Sequence, residues 1–287
     1  AQGPERSAAR GGPTPPIRRR GLPVATPAPA RSRTGGPRTL GGEQVEGRQA
    51  VRELLLAGRR RVRDVWLADD ADPGTALGEI LELAAEARVR LRTVPSSTLR
   101  AEARTEAPQG VLAHADPVPE VELDELLAGQ PQRGVAPFLV VLDGITDPQN
   151  LGAIIRSAVG AGATGAVLPR HRAAHITPTV AKAAAGGIEH LPMAVVGGLP
   201  ASLLAAKAAG LWLVGLDGAG PTNVFDLELA DQPVALVLGA EGRGLGRLVA
   251  QRCDVLASIP LRGALASLNV ASAAAVACFE VARRRSR

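Results

Sequence analysis

Cysteine is scarce in this chain of 287 residues, with only Cys253 and Cys278 present. The two offer neither a metal-ligand spacing nor a disulfide framework, so no metal site is expected, and a reducing compartment fits their use. Long apolar runs are missing as well. None approaches the roughly 18 residues of a membrane-spanning helix, and the N-terminal residues have no apolar core of the kind a secretory signal requires. A soluble, cytoplasmic protein without a membrane partner is the expectation. Lysine is nearly absent: Lys182 and Lys207 are the only two among 33 basic residues. With the abundance of Ala, Gly and Pro, that bias points to a GC-rich genome more than to function. Apolar residues, by contrast, make up 46% of the chain, as in a globular protein. The length leaves room for two domains.

The net charge of +5 suggests a nucleic-acid partner until it is located along the chain. Residues 1–42 hold eight arginines against the single acid Glu5, a net +7 that leaves −2 for the remainder. The electrostatic footprint of a nucleic-acid binder therefore belongs to this segment alone. Rich in Gly and Pro and free of aromatics, it cannot bury enough surface to fold by itself, so residues 1–42 are expected to form a disordered basic arm. A solvated tail with no fixed partner explains its charge equally well.

Beyond the arm, "VEGRQAVRELLLAG" (45–58) has Val51, Leu54 and Leu55 at helical spacing and a glycine stop at Gly58. "RVRDVWLA" (61–68) alternates apolar and charged residues like an edge strand, "ALGEILELAAEARV" (76–89) carries a helical stripe, and "RLRTV" (90–94) reads as a strand. A short helix over 97–103 and an apolar "GVLAHA" (110–115) complete an αβαβαβ rhythm, predicting a small α/β domain over 43–115. The Pro-flanked, acidic residues 116–135 read as a linker that has room for one helix. Residues 136–287 then contain apolar runs at 138–144, 165–169, 192–196, 211–217, 234–242 and 254–260, with helical segments between most of them at 150–162, 177–185, 200–209, 246–252 and 269–284. Fully apolar strands separated by helices predict a parallel sheet covered on both faces, with its ligands at the strands' carboxyl ends.

Glycines and unusual polar residues collect at those ends in three stretches. "GITDPQNLGAIIRSAVGAG" (144–162) places Asn150 at a helix entrance and Arg156 among small side chains; Gly152 and Gly160, four residues to either side, are expected to border the arginine and give it room. Alone, Asn150 reads as a plain N-cap. "LVLGAEGRGLG" (236–246) breaks an apolar strand into glycines around Glu241. It matches neither G-x-G-x-x-G nor G-x-x-x-x-G-K-[ST], which excludes the standard dinucleotide and triphosphate cradles. "IPLRGALASLNVASAAAVACFE" (259–280) leads from a strand end through Ser267, Leu268 and Asn269 into an alanine-rich helix. That helix permits close packing, either within one subunit or between two. "HRAAH" (171–175) sets two histidines at i, i+4, but no acid lies between them and no third ligand is evident, so a solvated loop is the reading. Trp66 and Trp212 lie in strand-like runs and are expected in the core, not as base-stacking platforms.

In this order, the three stretches together resemble the SPOUT class of methyltransferases, in particular the SpoU-type RNA 2′-O-ribose methyltransferases and their 23S rRNA (guanosine-2′-O) subfamily. The resemblance covers most of residues 138–284. "EGRQAVRELL" and "APQGVLAHA" are similar to the small, ribosomal-protein-like RNA-binding domain found in members that modify large-subunit rRNA. The resemblance implies an α/β fold whose parallel-sheet domain ends in a C-terminal trefoil knot, S-adenosylmethionine as cofactor, an RNA partner (23S rRNA), and a homodimer joined at the knot region. It places cofactor contacts at Leu238, Gly239, Ile259, Leu261 and Leu268, and the catalytic set at Asn150, Arg156, Glu241, Ser267 and Asn269. Ala266 departs from the pattern, standing where a second serine is common.

The implied reaction is in-line attack of a ribose 2′-hydroxyl on the cofactor methyl, for which alignment supplies much of the catalysis. A guanidinium stays protonated in proteins, so Arg156 fits a clamp on the target phosphate or a stabiliser of developing alkoxide charge better than a base. Glu241 can orient that arginine or take the proton. Two other readings stay open on sequence alone: a tRNA 2′-O-methyltransferase of the same class, and a non-catalytic RNA-binding or ribosome assembly factor.

Overall fold

The computed structural model describes residues 39–286 except 73, 131–133, 172–174, 265 and 266. Most of the expected basic arm, residues 1–38, thus lies outside the described residues, as do Ala266 and the middle of "HRAAH". Residues 39–42 do not behave as an arm. Leu40 is buried, the backbone N–H of Val118 donates to the Gly41 carbonyl at 2.9 Å, and that of Ile176 donates to the Leu40 carbonyl at 3.1 Å.

The N-terminal sheet is built from β1 (Gln44–Glu46), α1 (Arg48–Ala57), β2 (Val62–Ala68), α2 (Thr75–Glu86), β3 (Arg90–Val94), α3 (Ser96–Glu102) and β4 (Val111–Ala115), with strand order β1-β4-β2-β3. The apolar stripes of α1 (Val51, Leu54, Leu55) and α2 (Leu77, Ile80, Ala84) close over Val65, Leu67, Val111 and Ala113 on one face. Each fully buried Leu or Ile there is worth about 1.5–3 kcal/mol of removal from water. On the other face, α3 contributes only Leu99, packed with Ala68 and Leu112.

Two expectations are corrected. The segment 61–68 is not an edge strand: β2 lies between β4 and β3. Its alternation instead reflects the second, thinly covered face, where Asp64 is matched across strands by Arg92 at 3.3 Å and His114 at 2.8 Å, and Trp66 meets His114 edge-on at 5.4 Å between ring centroids. Residues 44–46 form a strand instead of entering a helix at 45. Three residues are too few to display alternation, and the buried Glu46 is a carboxylate satisfied by the backbone N–H groups of Arg104 (2.7 Å) and Thr105 (3.0 Å).

The segment read as a linker carries α4 (Leu123–Ala128), whose Leu126 is buried in the next core. The C-terminal sheet follows: β5 (Phe138–Asp143), α5 (Pro148–Gly160), β6 (Gly165–Pro169), α6 (Pro178–Ala183), β7 (Met193–Val196), α7 (Leu199–Ala208), β8 (Trp212–Leu216), β9 (Thr222–Asn223), β10 (Val234–Gly239), α8 (Arg247–Ala250), β11 (Val255–Ser258) and α9 (Val270–Arg285). Its order is β7-β6-β5-β10-β8-β11-β9, and the ladders between these neighbours are parallel. Both faces are covered, as the continuous apolar runs predict. Along β5, Phe138, Val140 and Leu142 pack with residues of α5, α6 and α9, while Leu139 and Val141 pack with residues of α4, α7 and α8. The short strand β9 has no counterpart in the sequence reading, since two residues carry no period.

α5 starts where Asp147 accepts hydrogen bonds from the N–H groups of Gln149 (3.1 Å) and Asn150 (3.4 Å), with Pro148 in the first turn. α9 starts at Asn269, whose Oδ1 accepts from Ala271 (2.9 Å) and Ser272 (3.4 Å). Its small residues Ala274 and Ala277, with Cys278, are buried in the core shared with α5, so that part of the stripe is used within one subunit. Burial pushes the Cys278 thiol up to about 12, and Cys253 likewise, so neither is a thiolate nucleophile at neutral pH.

Candidate methyl-transfer site

β10 ends against its own continuation. A Cβ on Gly239 would lie 2.2 Å from the Gly244 carbonyl carbon and 2.4 Å from the Leu245 nitrogen, so only glycine lets the chain turn back here. The turn is closed by the Gly244 N–H on the Ala240 carbonyl at 2.8 Å and tied to the end of β5 by the Gly246 N–H on Asp143 Oδ2 at 2.7 Å.

On one side of this turn lies a cleft of about 680 Å³. Leu238, Gly239, Ile259, Leu261 and Leu268, the five residues expected to contact a cofactor, all line it, together with Ser267 and Glu241. On the other side is a cavity of about 650 Å³, lined by Asp143, Asp147, Asn150, Glu241 and Arg243 among others. Glu241, Arg243 and the backbone around them form a shared partition.

At that partition three of the expected catalytic residues join. Asn269 Nδ2 donates to Asn150 Oδ1 at 2.9 Å, and Asn150 Nδ2 donates to Glu241 Oε2 at 3.3 Å. Asn150 is buried, and it is not the N-cap of α5, a place taken by Asp147; its amide is free to link the start of α9 to the glycine turn.

Arg156 stands apart. It is exposed, six residues further along α5, about 9 Å of helical rise from Asn150. It lines neither cavity. The expectation that Gly152 makes room for it is corrected: Gly152 is buried against α6, where a Cβ would meet Ala183 Cβ at 2.5 Å and the Val180 carbonyl oxygen at 2.7 Å, so its role is helix contact. Gly160 does lie at the surface, beside the half-exposed Phe279.

The sequence reading missed the end of β8. Leu216, Asp217 and Gly218 line the cleft of about 680 Å³, and Asp217 brings a second carboxylate to it. Its position in an Asp-Gly turn at the carboxyl end of a parallel strand was the available signal. Among the described residues, no group of His, Cys, Asp and Glu is arranged to hold a metal ion, and no helix is long and apolar enough to cross a membrane.

A parallel sheet with a glycine turn between two cavities at its carboxyl edge places a ligand-binding site where doubly covered α/β folds carry theirs. Comparison with known proteins narrows this. Residues 137–279 match the SpoU rRNA Methylase family, and residues 44–121 match the family described as RNA 2′-O ribose methyltransferase substrate binding. The chain is 38% identical to YacO of Bacillus subtilis, named for the TrmH family of tRNA/rRNA methyltransferases, over 85% of this chain and 96% of that one. It is 37% identical to the 23S rRNA (guanosine-2′-O-)-methyltransferase RlmB of Pseudomonas putida, over 85% and 97%. Among solved structures, the SpoU methyltransferase AviRb of Streptomyces viridochromogenes, in complex with the cofactor AdoMet, superposes with a TM-score of 0.69 at 28% identity, covering 85% of this chain and 90% of that one. The chain belongs to the SpoU family of RNA 2′-O-ribose methyltransferases, whose methyl donor is S-adenosylmethionine.

The cleft suits that donor. Leu238, Ile259 and Leu268 offer apolar walls for an adenine, the glycine turn brings backbone groups close, and Asp217 and Glu241 offer carboxylates to a molecule carrying cationic sulfonium and ammonium groups.

Proposed function

We propose that this protein methylates the ribose 2′-hydroxyl of a guanosine in 23S rRNA, in the cytoplasm and as a homodimer. The observation that carries the target is the match, over 85% of this chain and with the substrate-binding part included, to a relative named as a 23S rRNA (guanosine-2′-O-)-methyltransferase. Bound S-adenosylmethionine supplies an electrophilic methyl group on sulfur. We assign Leu238, Gly239, Ile259, Leu261 and Leu268 to holding it, and Asp217 with them.

Asn269 and Asn150 hold Glu241 at the partition between the two cavities. Because Asn150, not Arg156, grips Glu241, we assign Glu241 the proton that would leave the hydroxyl as the methyl group's bond to sulfur gives way to the new C–O bond, with a neutral thioether as the leaving group. Ser267 lines the cleft beside it as a further hydrogen-bonding group. Arg156 acts as clamp on the target phosphate, or stabiliser of alkoxide charge, through its planar fork. Its exposed place on α5, away from both cavities of its own chain, favours delivery to the partition of a second copy, and that supports the dimer. The family's trefoil knot is assigned to the chain from β10 onward. In its favour, β10 inserts between β5 and β8, β11 adds beyond β8, and three separate segments, around Gly239, Ile259 and Leu268, close on one cleft.

Incubation of the purified protein with labelled S-adenosylmethionine and separate rRNA and tRNA pools tests the reading, followed by mapping of methylated riboses. Label on 23S rRNA at a guanosine is expected. Label on tRNA alone would transfer the proposal to the tRNA-modifying members, and label on neither would leave an RNA-binding factor.

A further inference from the structure

The two sheets are docked through a buried ion pair that the methyl-transfer site does not use. Arg60, just before β2, and Glu189, in the 3-10 turn Gly187–Glu189 of the C-terminal sheet, have side chains 3% and 2% exposed. The pairing is bidentate, with Arg60 Nη2 on Glu189 Oε1 at 2.6 Å and Nε on Oε2 at 3.0 Å. The remaining guanidinium nitrogen, Nη1, donates to the carbonyls of Gly42 at 2.6 Å and Asp116 at 2.7 Å. These carbonyls lie where the chain enters and leaves the N-terminal sheet. One side chain therefore ties both ends of that sheet to the other half.

The contact is close as well as polar. A Cβ on Gly186, which has φ +84°, would lie 2.3 Å from Glu53 Cβ of α1, and Glu53 bonds His190 at 2.8 Å. Lys182 Nζ donates to the Ala107 carbonyl at 2.6 Å. On its inner side the same turn backs α5: Ile188 is buried, and a Cβ on Gly187 would sit 3.6 Å from Arg156 Cα. A buried ion pair is a weak source of net stability, because desolvation offsets most of its attraction; what its fixed fork supplies is orientation.

We propose that Arg60 and Glu189 are positioning residues, whose buried fork holds the substrate-binding half at a fixed angle to the helix carrying Asn150 and Arg156, so that RNA gripped by one half reaches the other in a preset register. This rests on the RNA-transfer reading above.

The test uses the full chain and the RNA pool that accepts label. Arg60→Met combined with Glu189→Leu replaces the pair by apolar side chains of similar volume, which preserves folding in other buried pairs. Glu189→Gln keeps the shape and one acceptor. Thermal melts and cofactor binding establish that each variant is folded with an intact donor cleft. Separate measurements then give RNA affinity and the single-turnover rate with both ligands saturating. The double variant is expected to bind cofactor and RNA within about twofold of wild type while its single-turnover rate falls by about tenfold or more, as misplaced reactants require, with Glu189→Gln in between. A wild-type rate in the folded double variant overturns the proposal. So does a loss confined to thermal stability or cofactor binding in both variants, which makes the pair a folding contact only. If the wild-type enzyme labels no RNA, the functional reading fails instead. Small-angle scattering then still reads the lock: a profile unchanged by the double variant refutes it, and a broadened one upholds it.

Discussion

Gly239→Ala probes the glycine turn directly. The added methyl would stand 2.2 Å from the Gly244 carbonyl carbon and 2.4 Å from its oxygen and from the Leu245 nitrogen, all of them backbone atoms that no rotamer change can move aside. To regain ordinary contact, the turn bearing Glu241 must recede by about 1 Å, a displacement that costs on the order of 100-fold in rate when it misplaces reacting groups. Overpacking of this kind costs about 1–3 kcal/mol of stability. In a chain of this size each kcal/mol lowers the melting temperature by about 2–4 °C. The expected variant is therefore folded, melts a few degrees lower, binds S-adenosylmethionine more weakly and transfers methyl groups about 100-fold more slowly. Calorimetric titration with the cofactor, thermal melts and single-turnover transfer to rRNA measure the three quantities. A variant with wild-type transfer and affinity would refute the claim that the turn's backbone approach builds the site.

Three other outcomes are expected. Arg156→Ala should lose about 100-fold or more in transfer with little change in cofactor affinity, since Arg156 lines neither cavity; a parallel loss of cofactor binding in titration would place it in the donor pocket. Removing residues 1–38, while keeping the buried Leu40, should flatten the salt dependence of RNA binding because the segment's net +7 contributes electrostatically; an unchanged slope would make it a spacer. In α9, Arg283, hydrogen-bonded at 2.8 and 2.7 Å, and Arg284 at 2.8 Å hold the buried Glu280 carboxyl below its ordinary value. The depressed value in the folded state means that Glu280 stabilises above the ordinary carboxylate range and loses this effect as pH falls through the folded value. The melting-temperature gap between wild type and Glu280→Gln should thus be full at neutral pH and close in acid, and a gap independent of pH would contradict the assignment.

The strands of the C-terminal sheet are legible because burial on both faces leaves continuous apolar runs, and the start of α9 is legible at Asn269. α5, by contrast, begins at Asp147-Pro148, ahead of the entrance expected at Asn150; an aspartate before proline also reads as a turn. Strands of two or three residues, β1 and β9, carry no periodicity and escaped notice. β2 looked like an edge because cross-strand pairing to Asp64 is invisible in one segment's alternation. At the site, the glycines around Glu241 marked a turn, but a string of letters does not convey that Asn150 and Asn269, 119 positions apart, share a hydrogen bond. Gly152 was misassigned for the same reason: its neighbour is Ala183, on another helix.

The strand order also dictates when the protein can fold. β5 pairs with β6 on one side and with β10 on the other, Phe138 standing opposite Val234. As the chain is synthesised, one flank of β5 stays open until Val234–Gly239 has emerged. Pairing across such a separation is slow, and an open apolar edge invites association with other chains. The cleft beside the glycine turn draws its walls from residues between Leu216 and Ala273, so a partial product that stops at β10 has only part of them. Arrival of β10, not completion of the sheet's first half, is the step that closes the exposed flank of β5.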